Sequence, residues 1–441
     1  MSHPGALAPF ADARFAWFFA GRLISTAGSV MAPIALAFAV LDLTHSVVAL
    51  GQVLAARSIP LILLLLVGGV VADRLPRALV LQVSHLASAC TQGAVAYLVL
   101  TGQARLWQVA LLEAINGAMT AFTMPAIQGL VPQVVDRGLM QEANALLAFG
   151  RSGLAVIGPA VAGVLVVSVG AGWALAFDAL TWLLAALCML FVRVPACPRE
   201  RGTTMLAELR DGWGAFTSLT WLWTTVAACG VLNALHAGAW STLGPVVAKS
   251  TDGLGEEGWG FAVSAEAVGL LAFTVVMMKV NVERPLRTGM AAMAALALPL
   301  FVLAAQGPLW LLLLAAFVAG GGVQVFMISW QTAIHENVPE HVLSRVSAYD
   351  ALGSFVAIPL GQLLIGPISD VAGISAALAW SGVLFVAVVA ADLGVRPVRE
   401  LRRAPARTAD ETGPEPAGPD RLADGESVTG AGRPVEGEAG A

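Results

Sequence analysis

Charge is what this sequence has least of. Only 12% of its 441 residues are Asp, Glu, Lys or Arg, against 58% hydrophobic, where soluble globular chains carry about 25% charged residues. A water-soluble globular fold is excluded on that ground. The formal net charge of −5 owes much to acids in the C-terminal tail, and no nucleic-acid partner is expected. Four cysteines, Cys90, Cys188, Cys197 and Cys229, have no metal-ligand spacing and read as free thiols behaving as small hydrophobes. HExxH, a clustered His and acid set and a phosphate-cradling Gly-rich loop are all missing. Those absences speak against an enzyme, a metal or cofactor site, and ATP-driven pumping by this chain. A sensor is disfavoured too, because the tail is too short and polar to form a signalling domain.

What is present is a series of long apolar runs. Crossing about 30 Å of hydrocarbon takes about 20 helical residues, and twelve runs qualify: 15–41, 46–71, 79–100, 106–131, 144–168, 172–194, 220–247, 258–280, 287–305, 308–334, 343–368 and 373–395. The first shows no cleavage site and is read as a span, not a signal. The expected fold is an all-α membrane protein of twelve transmembrane helices in two six-helix halves. Its parts are an N-terminal segment (1–14), a first bundle (15–194), an interdomain loop (195–219), a second bundle (220–395) and a largely disordered tail (396–441). Arg396, Arg399, Arg402 and Arg403 begin the tail as a cluster suited either to anionic lipid or to a plain stop-transfer anchor.

Basic residues in short loops set the orientation. With both termini cytoplasmic, Arg14, Arg74, Arg77, Arg137, Arg193, Arg284, Arg287 and Arg345 fall inside, and only Arg105 and Lys249 remain in outer loops. Trp107, Trp173, Trp259 and Trp310 then mark outer helix starts and Trp17, Trp221 and Trp223 inner ends, as an interfacial belt would.

The halves repeat one another. Asp73-Arg74-Leu75-Pro76-Arg77 is echoed by Glu283-Arg284-Pro285-Leu286-Arg287, each read as a short loop after the second run of its half. Shifted by 203 positions, Gly150, Gly158 and Gly163 meet Gly353, Gly361 and Gly366. Parallel repeats with a site between them at midmembrane depth are a known transporter plan. Gly69, Asp73, Arg74 and Arg77 match G-x-x-x-D-R-x-G-R-R, so the chain resembles the major facilitator superfamily over nearly all of residues 10–400. Pro76 and Ala78 depart from that signature. The stretch from Pro125 to Leu147 is similar to the third drug:proton antiporter family, which includes macrolide and enterobactin exporters. Gly153, Gly158, Pro159 and Gly163 partly match its helix-five antiporter motif, with Ala162 in place of one glycine.

The resemblance assigns Gly69, Asp73, Arg74, Arg77, Glu283, Arg284 and Arg287 to a conformational latch that locks one face and breaks as the halves rock. It also makes helices one, four, seven and ten cavity-lining. Charges within spans are costly and usually face the bundle interior; here they are Arg22, Arg57, Glu113, Arg151, Asp178, Glu266 and Asp350, with His236 as a titratable neutral group. Glu113, Arg22, Arg57 and His236 are the proton-coupling candidates. Glu113 stands where many proton-coupled exporters carry Arg, and two roles are open to it: the carrier itself, or half of an ion pair with Arg22 or Arg57. Asp178 reads as a structural acid near the outer surface. Asn116, Asn233, Gln324 and Gln331, with Phe122, Trp240 and Phe326, are candidates to line a substrate cavity.

The resemblance implies a secondary exporter of small amphiphilic compounds by proton antiport, acting as a monomer in the bacterial plasma membrane. Its partners are a small-molecule substrate, protons and lipid. The alternative is a dedicated exporter or uniporter of one endogenous metabolite, such as a siderophore.

Overall fold

The computed structural model describes residues 7–192, 213–214, 216–280 and 282–403. Most of the interdomain loop (195–219), Cys197 and the tail beyond 403 lie outside the described residues, as do the side chains of Asp73, Arg74 and Arg137. Within them every regular element is a helix, since a span with no water beside it must satisfy its backbone internally. The first six are α1 (Ala13–Thr44), α2 (Val47–Arg74), α3 (Arg77–Leu100), α4 (Leu106–Val134), α5 (Met140–Val169) and α6 (Ala171–Met189). A second set follows: α7 (220–250), α8 (Gly255–Met277), α9 (Pro285–Ala304), α10 (Leu309–Asn337), α11 (340–372) and α12 (Ile374–Gly394). Eleven helical stretches are long and apolar enough to cross a membrane. The twelfth, α7, is a helical run in three parts: Thr220–Leu235, a π-helix over His236–Leu243, and Gly244–Ser250.

Short connections make successive helices antiparallel. The start of α1 and the end of α12 therefore share one face of the bundle, here the terminal face, opposite a far face. Asp12 caps α1 by accepting from the Arg14 backbone N–H at 2.8 Å, and hydrogen bonds from the Arg14 guanidinium hold its carboxyl below the ordinary carboxylate range.

Several helices outrun their apolar stretches. The loop expected at Asp73-Arg74 is instead the last turn of α2, and only Leu75 and Pro76 join it to α3. Pro76 disfavours helix at the residue before it, so the chain turns there. In the echo, Pro285 opens α9 at a position where a proline's missing N–H costs nothing, leaving Glu283 and Arg284 in the loop. α11 breaks between Phe355 and Ile358, ahead of Pro359.

The tightest crossings explain the duplication physically. Between helices in lipid there is no hydrophobic driving force, so close backbone approach through small residues does the packing. Gly117 of α4 lies against the Arg57 carbonyl of α2, so closely that a Cβ would overlap it; Gly320 of α10 lies in the same way against the Glu266 carbonyl of α8. Gly117 and Gly320 are separated by the same 203 positions as the helix-five glycines.

Helices α1–α6 and α7–α12 meet through α5 on α8 and α2 on α11. The closest approaches are Gly163 against the Glu256 carbonyl, Gly260 against Pro159, Gly51 against Gln362 and Gly366 against Val48, all toward the far face. Lys249 at the end of α7 adds an ion pair to Asp42 at the end of α1. Trp107, Trp173 and Trp310 stand exposed at far-face helix starts, and Trp17 and Trp223 near the terminal face. Two tryptophans depart from the expected belt: Trp259 is buried against Trp240 and Gly244, and Trp221 against Trp330. Cys188 and Cys229 are buried free thiols, while Cys90 is exposed.

Overpacking a tight site costs about 1–3 kcal/mol. Gly117→Val is therefore expected to lower the thermal midpoint of the detergent-solubilised protein, whereas Gly153→Val, whose Cβ position is open, leaves it unchanged.

Candidate functional site

Glu113 is fully buried on α4. Gly117, one turn on, draws α2 close enough for Arg57 to reach it: Arg57 Nη1 donates to Glu113 Oε2 at 3.4 Å, while Gln92 Nε2 of α3 donates to Oε1 at 3.0 Å. Of the two partners open to Glu113, the structure selects Arg57. Removing two charges from water is offset only by good geometry and additional hydrogen bonds, and Gln92 supplies one of them. Asn116 is buried beside this pair with neither side-chain polar atom hydrogen-bonded among the described residues. Asp178 is 1% exposed on α6, in the half of that helix nearer its far-face start, and sits over Gly28 of α1 beside Thr181.

Gln92 stands outside the candidate residues because the resemblance makes helices one, four, seven and ten, and not helix three, the cavity-lining ones. The signal was nonetheless there. Ser84, His85, Ser88, Thr91 and Gln92 recur at i, i+1, i+4, i+7 and i+8, one face of a helix, and all five are buried.

Arg22 goes elsewhere. With Thr26, Gln128, Asn144 and Arg151 it lines an open cavity of about 380 Å³ between α1, α4 and α5, toward the terminal face. Two arginines and no acid line this space, and aliphatic side chains with Pro132 and Met140 complete it. Its size falls in the range of small-molecule sites, about 300–1,000 Å³.

The other cavity candidates are mostly packed. Phe122 joins the core around Phe15, Phe18 and Leu130. Asn233 Nδ2 donates to the Ser354 carbonyl at 2.9 Å, tying α7 to α11. Phe326 stacks on Trp330, whose Nε1 donates to Asp350 Oδ2 at 3.0 Å. Gln324 is half-buried and Gln331 exposed. His236 opens the π-helix and, with Trp240 and Glu266, lines a narrow pocket between α7, α8, α9 and α10.

In the latch region the Arg77 guanidinium donates to the Gly129 carbonyl of α4. The Glu283 carbonyl accepts from the Arg403 N–H at 3.0 Å, and Arg403 Nε donates to Glu336 at 3.1 Å, so the chain after α12 docks onto the second copy. Arg284 and Arg287 line a cleft beside Thr288. The side chains of Asp73 and Arg74, and any environment of Gly69, lie outside the described residues. In the helix-five motif Gly158 packs on Val30 of α1, Pro159 on Gly260 and Gly163 on the start of α8, while Gly153 faces open space. The helix continues through Pro159, and the neighbouring Ala160 N–H donates across to Ser264 Oγ of α8 at 3.0 Å.

Two repeated sets of membrane-crossing helices, packed together toward one face and holding an open cavity toward the other, define a secondary transporter of the major facilitator type. Within that class the chain belongs to the transmembrane secretion effector family, whose profile matches residues 4–416. It is similar to the multidrug efflux pump Tap of Mycobacterium tuberculosis, at 25% identity over 88% of this chain and 94% of the relative. It is equally similar, at 25% identity, to the staphyloferrin A transporter of Staphylococcus aureus, over 81% of this chain and 90% of that one. Among solved structures it shares its fold with the nucleoside transporter NupG, with a TM-score of 0.70 and 15% identity over 86% of this chain and 98% of that one.

Removing one partner of a buried ion pair costs about 3–5 kcal/mol, while replacing both with apolar groups is often nearly neutral. Arg57→Met is expected to lower the thermal midpoint strongly, and adding Glu113→Leu to recover most of the loss. A double variant no better than the single would show that the pair does not act as a unit.

Proposed function

We propose that this protein is an exporter that exchanges small amphiphilic compounds for protons by alternating access, as a monomer in the bacterial plasma membrane with both termini cytoplasmic. The observation that carries the reading is the cavity beside Arg22 and Arg151. It is open toward the terminal face, while the halves pack glycine-to-carbonyl toward the far face, the arrangement of a carrier awaiting cargo from the side of its termini. The basic residues in terminal-face loops support placing that side in the cytoplasm. The Tap relative is a multidrug efflux pump, which supports export and a broad substrate range.

In this reading Gly69, Asp73, Arg74 and Arg77, with Glu283, Arg284 and Arg287, form the terminal-face latch that closes when the far face opens. Gly158, Pro159 and Gly163 seat α5 on α1 and α8, and the Ala160–Ser264 bond must break for the far face to part. Glu113 serves as the counter-ion that holds Arg57.

One observation favours a second, narrower reading. A cavity lined by two arginines and no acid selects for substrates with an anionic group, which suits a dedicated exporter of an acidic endogenous metabolite. A siderophore is one such class, and one relative is a staphyloferrin A transporter.

Proton release from energised inverted vesicles separates these readings, with ethidium as a cation, chloramphenicol as a neutral compound and fusidic acid as an anion. Release on adding more than one of them supports the broad antiporter. Release with fusidic acid alone, diminished in Arg151→Gln, supports the narrow acidic one. No release with any would overturn proton antiport of amphiphilic compounds.

A further inference from the structure

The two halves differ at one matched position, and the difference is chemical. In the first, α2 presents Arg57 where its carbonyl crosses Gly117, and α4 answers with Glu113 one turn away. In the second, α8 presents Glu266 where its carbonyl crosses Gly320. The residue 203 positions after Glu113, where the answering side chain is due, is Ala316. The repeat has kept an ionisable group at the crossing, reversed its sign and dropped its counter-ion.

Ala316 leaves space, and that space is the narrow pocket beside His236. It is lined by Glu266, His236, Trp240 and Ala316, with Leu296 and Pro299 of α9 as its apolar wall. Too small to hold a water molecule, it excludes a drug-sized substrate and a hydrated metal ion alike. Trp240 borders it and packs on Trp259 with ring centroids 4.5 Å apart and the rings tilted by 50°.

Other ionisable groups on the packed elements stand away from it. Glu256 and Glu257 begin α8, at least nine residues or about 14 Å along the axis. Lys249 ends α7 and is committed to Asp42. Glu142 and Arg151 of α5, Arg287 of α9 and His335 and Glu336 of α10 lie toward the terminal face. His236 is the titratable group that shares the pocket.

We propose that Glu266 is the group that takes up and releases the proton exchanged for substrate, and that Glu113 is not; this rests on the antiport reading above. An arginine keeps its charge, so Arg57 needs a fixed counter-ion and has one. Glu266 is half-buried against an apolar wall and has no ion-pair partner among the described residues, so it can exchange its charge for a bound proton, and the proton is the one cation small enough to enter. The π-helix from His236 to Leu243 is the moving part. Its looser turn carries both His236 and Trp240, and π-turns inside α-helices mark functional sites. Tightening it to α-helix re-aims Trp240 and opens the pocket toward α7.

Infrared difference spectroscopy on the purified full-length protein, titrated with acid and base, reads this without a substrate. The carboxyl C=O stretch of wild type is expected to lose one titrating component in Glu266→Gln, to keep it in Glu266→Asp, and to keep it in the Arg57→Met/Glu113→Leu pair. A spectrum unchanged by Glu266→Gln overturns the proposal, as does loss of the component in the double variant instead. In proteoliposomes, with whichever of the three vesicle probes wild type moves, Glu266→Gln is expected to abolish transport driven by a pH gradient while probe-for-probe exchange persists. Gradient-driven transport at the wild-type rate in Glu266→Gln also overturns it. If wild type moves no probe and no proton, the antiport reading fails, and the infrared titration still decides whether Glu266 exchanges a proton.

Discussion

Backbone-to-backbone contact at glycine is the constraint on which this structure depends. Side chains facing lipid gain little by turning inward, so helices must hold one another by close packing and by the few polar groups they share. Gly117 of α4 against α2 and Gly320 of α10 against α8 fix the two matching crossings inside the halves, and Gly163, Gly260, Gly51 and Gly366 fix the seam between them. Each brings a helix within van der Waals distance of another's carbonyl or backbone. Everything polar in the core is positioned by these crossings: Arg57 reaches Glu113 because α2 lies flush on α4.

The two kinds of crossing serve different ends. Those within a half carry buried groups that link several helices, as Gln92 of α3, Arg57 of α2 and Glu113 of α4 do, and such units move as one body. Among the described residues, those between the halves involve small residues, a hydrogen bond from Ala160 to Ser264 and an exposed ion pair from Lys249 to Asp42. An exposed pair contributes about 0–1 kcal/mol. A seam of that composition can part without stranding a buried charge, which is what a rocking carrier requires. Seating the seam toward the far face leaves the Arg22–Arg151 cavity open toward the other.

Duplication also supplies the means of assigning roles. Two copies of one crossing in a single chain act as internal controls: a feature present in both serves the fold, and a feature present in one serves something else. The glycine-on-carbonyl contact is common to both. Among the described residues the ion pair belongs to the first copy, and the acid without an ion-pair partner, the narrow pocket and the π-helix belong to the second.

Much of this was legible in the sequence. Low charge and long apolar runs gave the class, and the Asp73 and Glu283 echoes with the offset glycines gave the repeat, because hydropathy and backbone geometry act locally along the chain. Partner choice was not legible. Arg22 and Arg57 were equal candidates for Glu113 until the crossing at Gly117 placed one against it and turned the other into a cavity wall. The polar stripe on α3 was visible as a period but pointed to no partner, and Trp259 and Trp221 read as belt residues until packing buried them. A sequence fixes which residues share a helix face; which face meets which neighbour depends on how closely backbones cross, and that is decided only when all twelve helices are packed together.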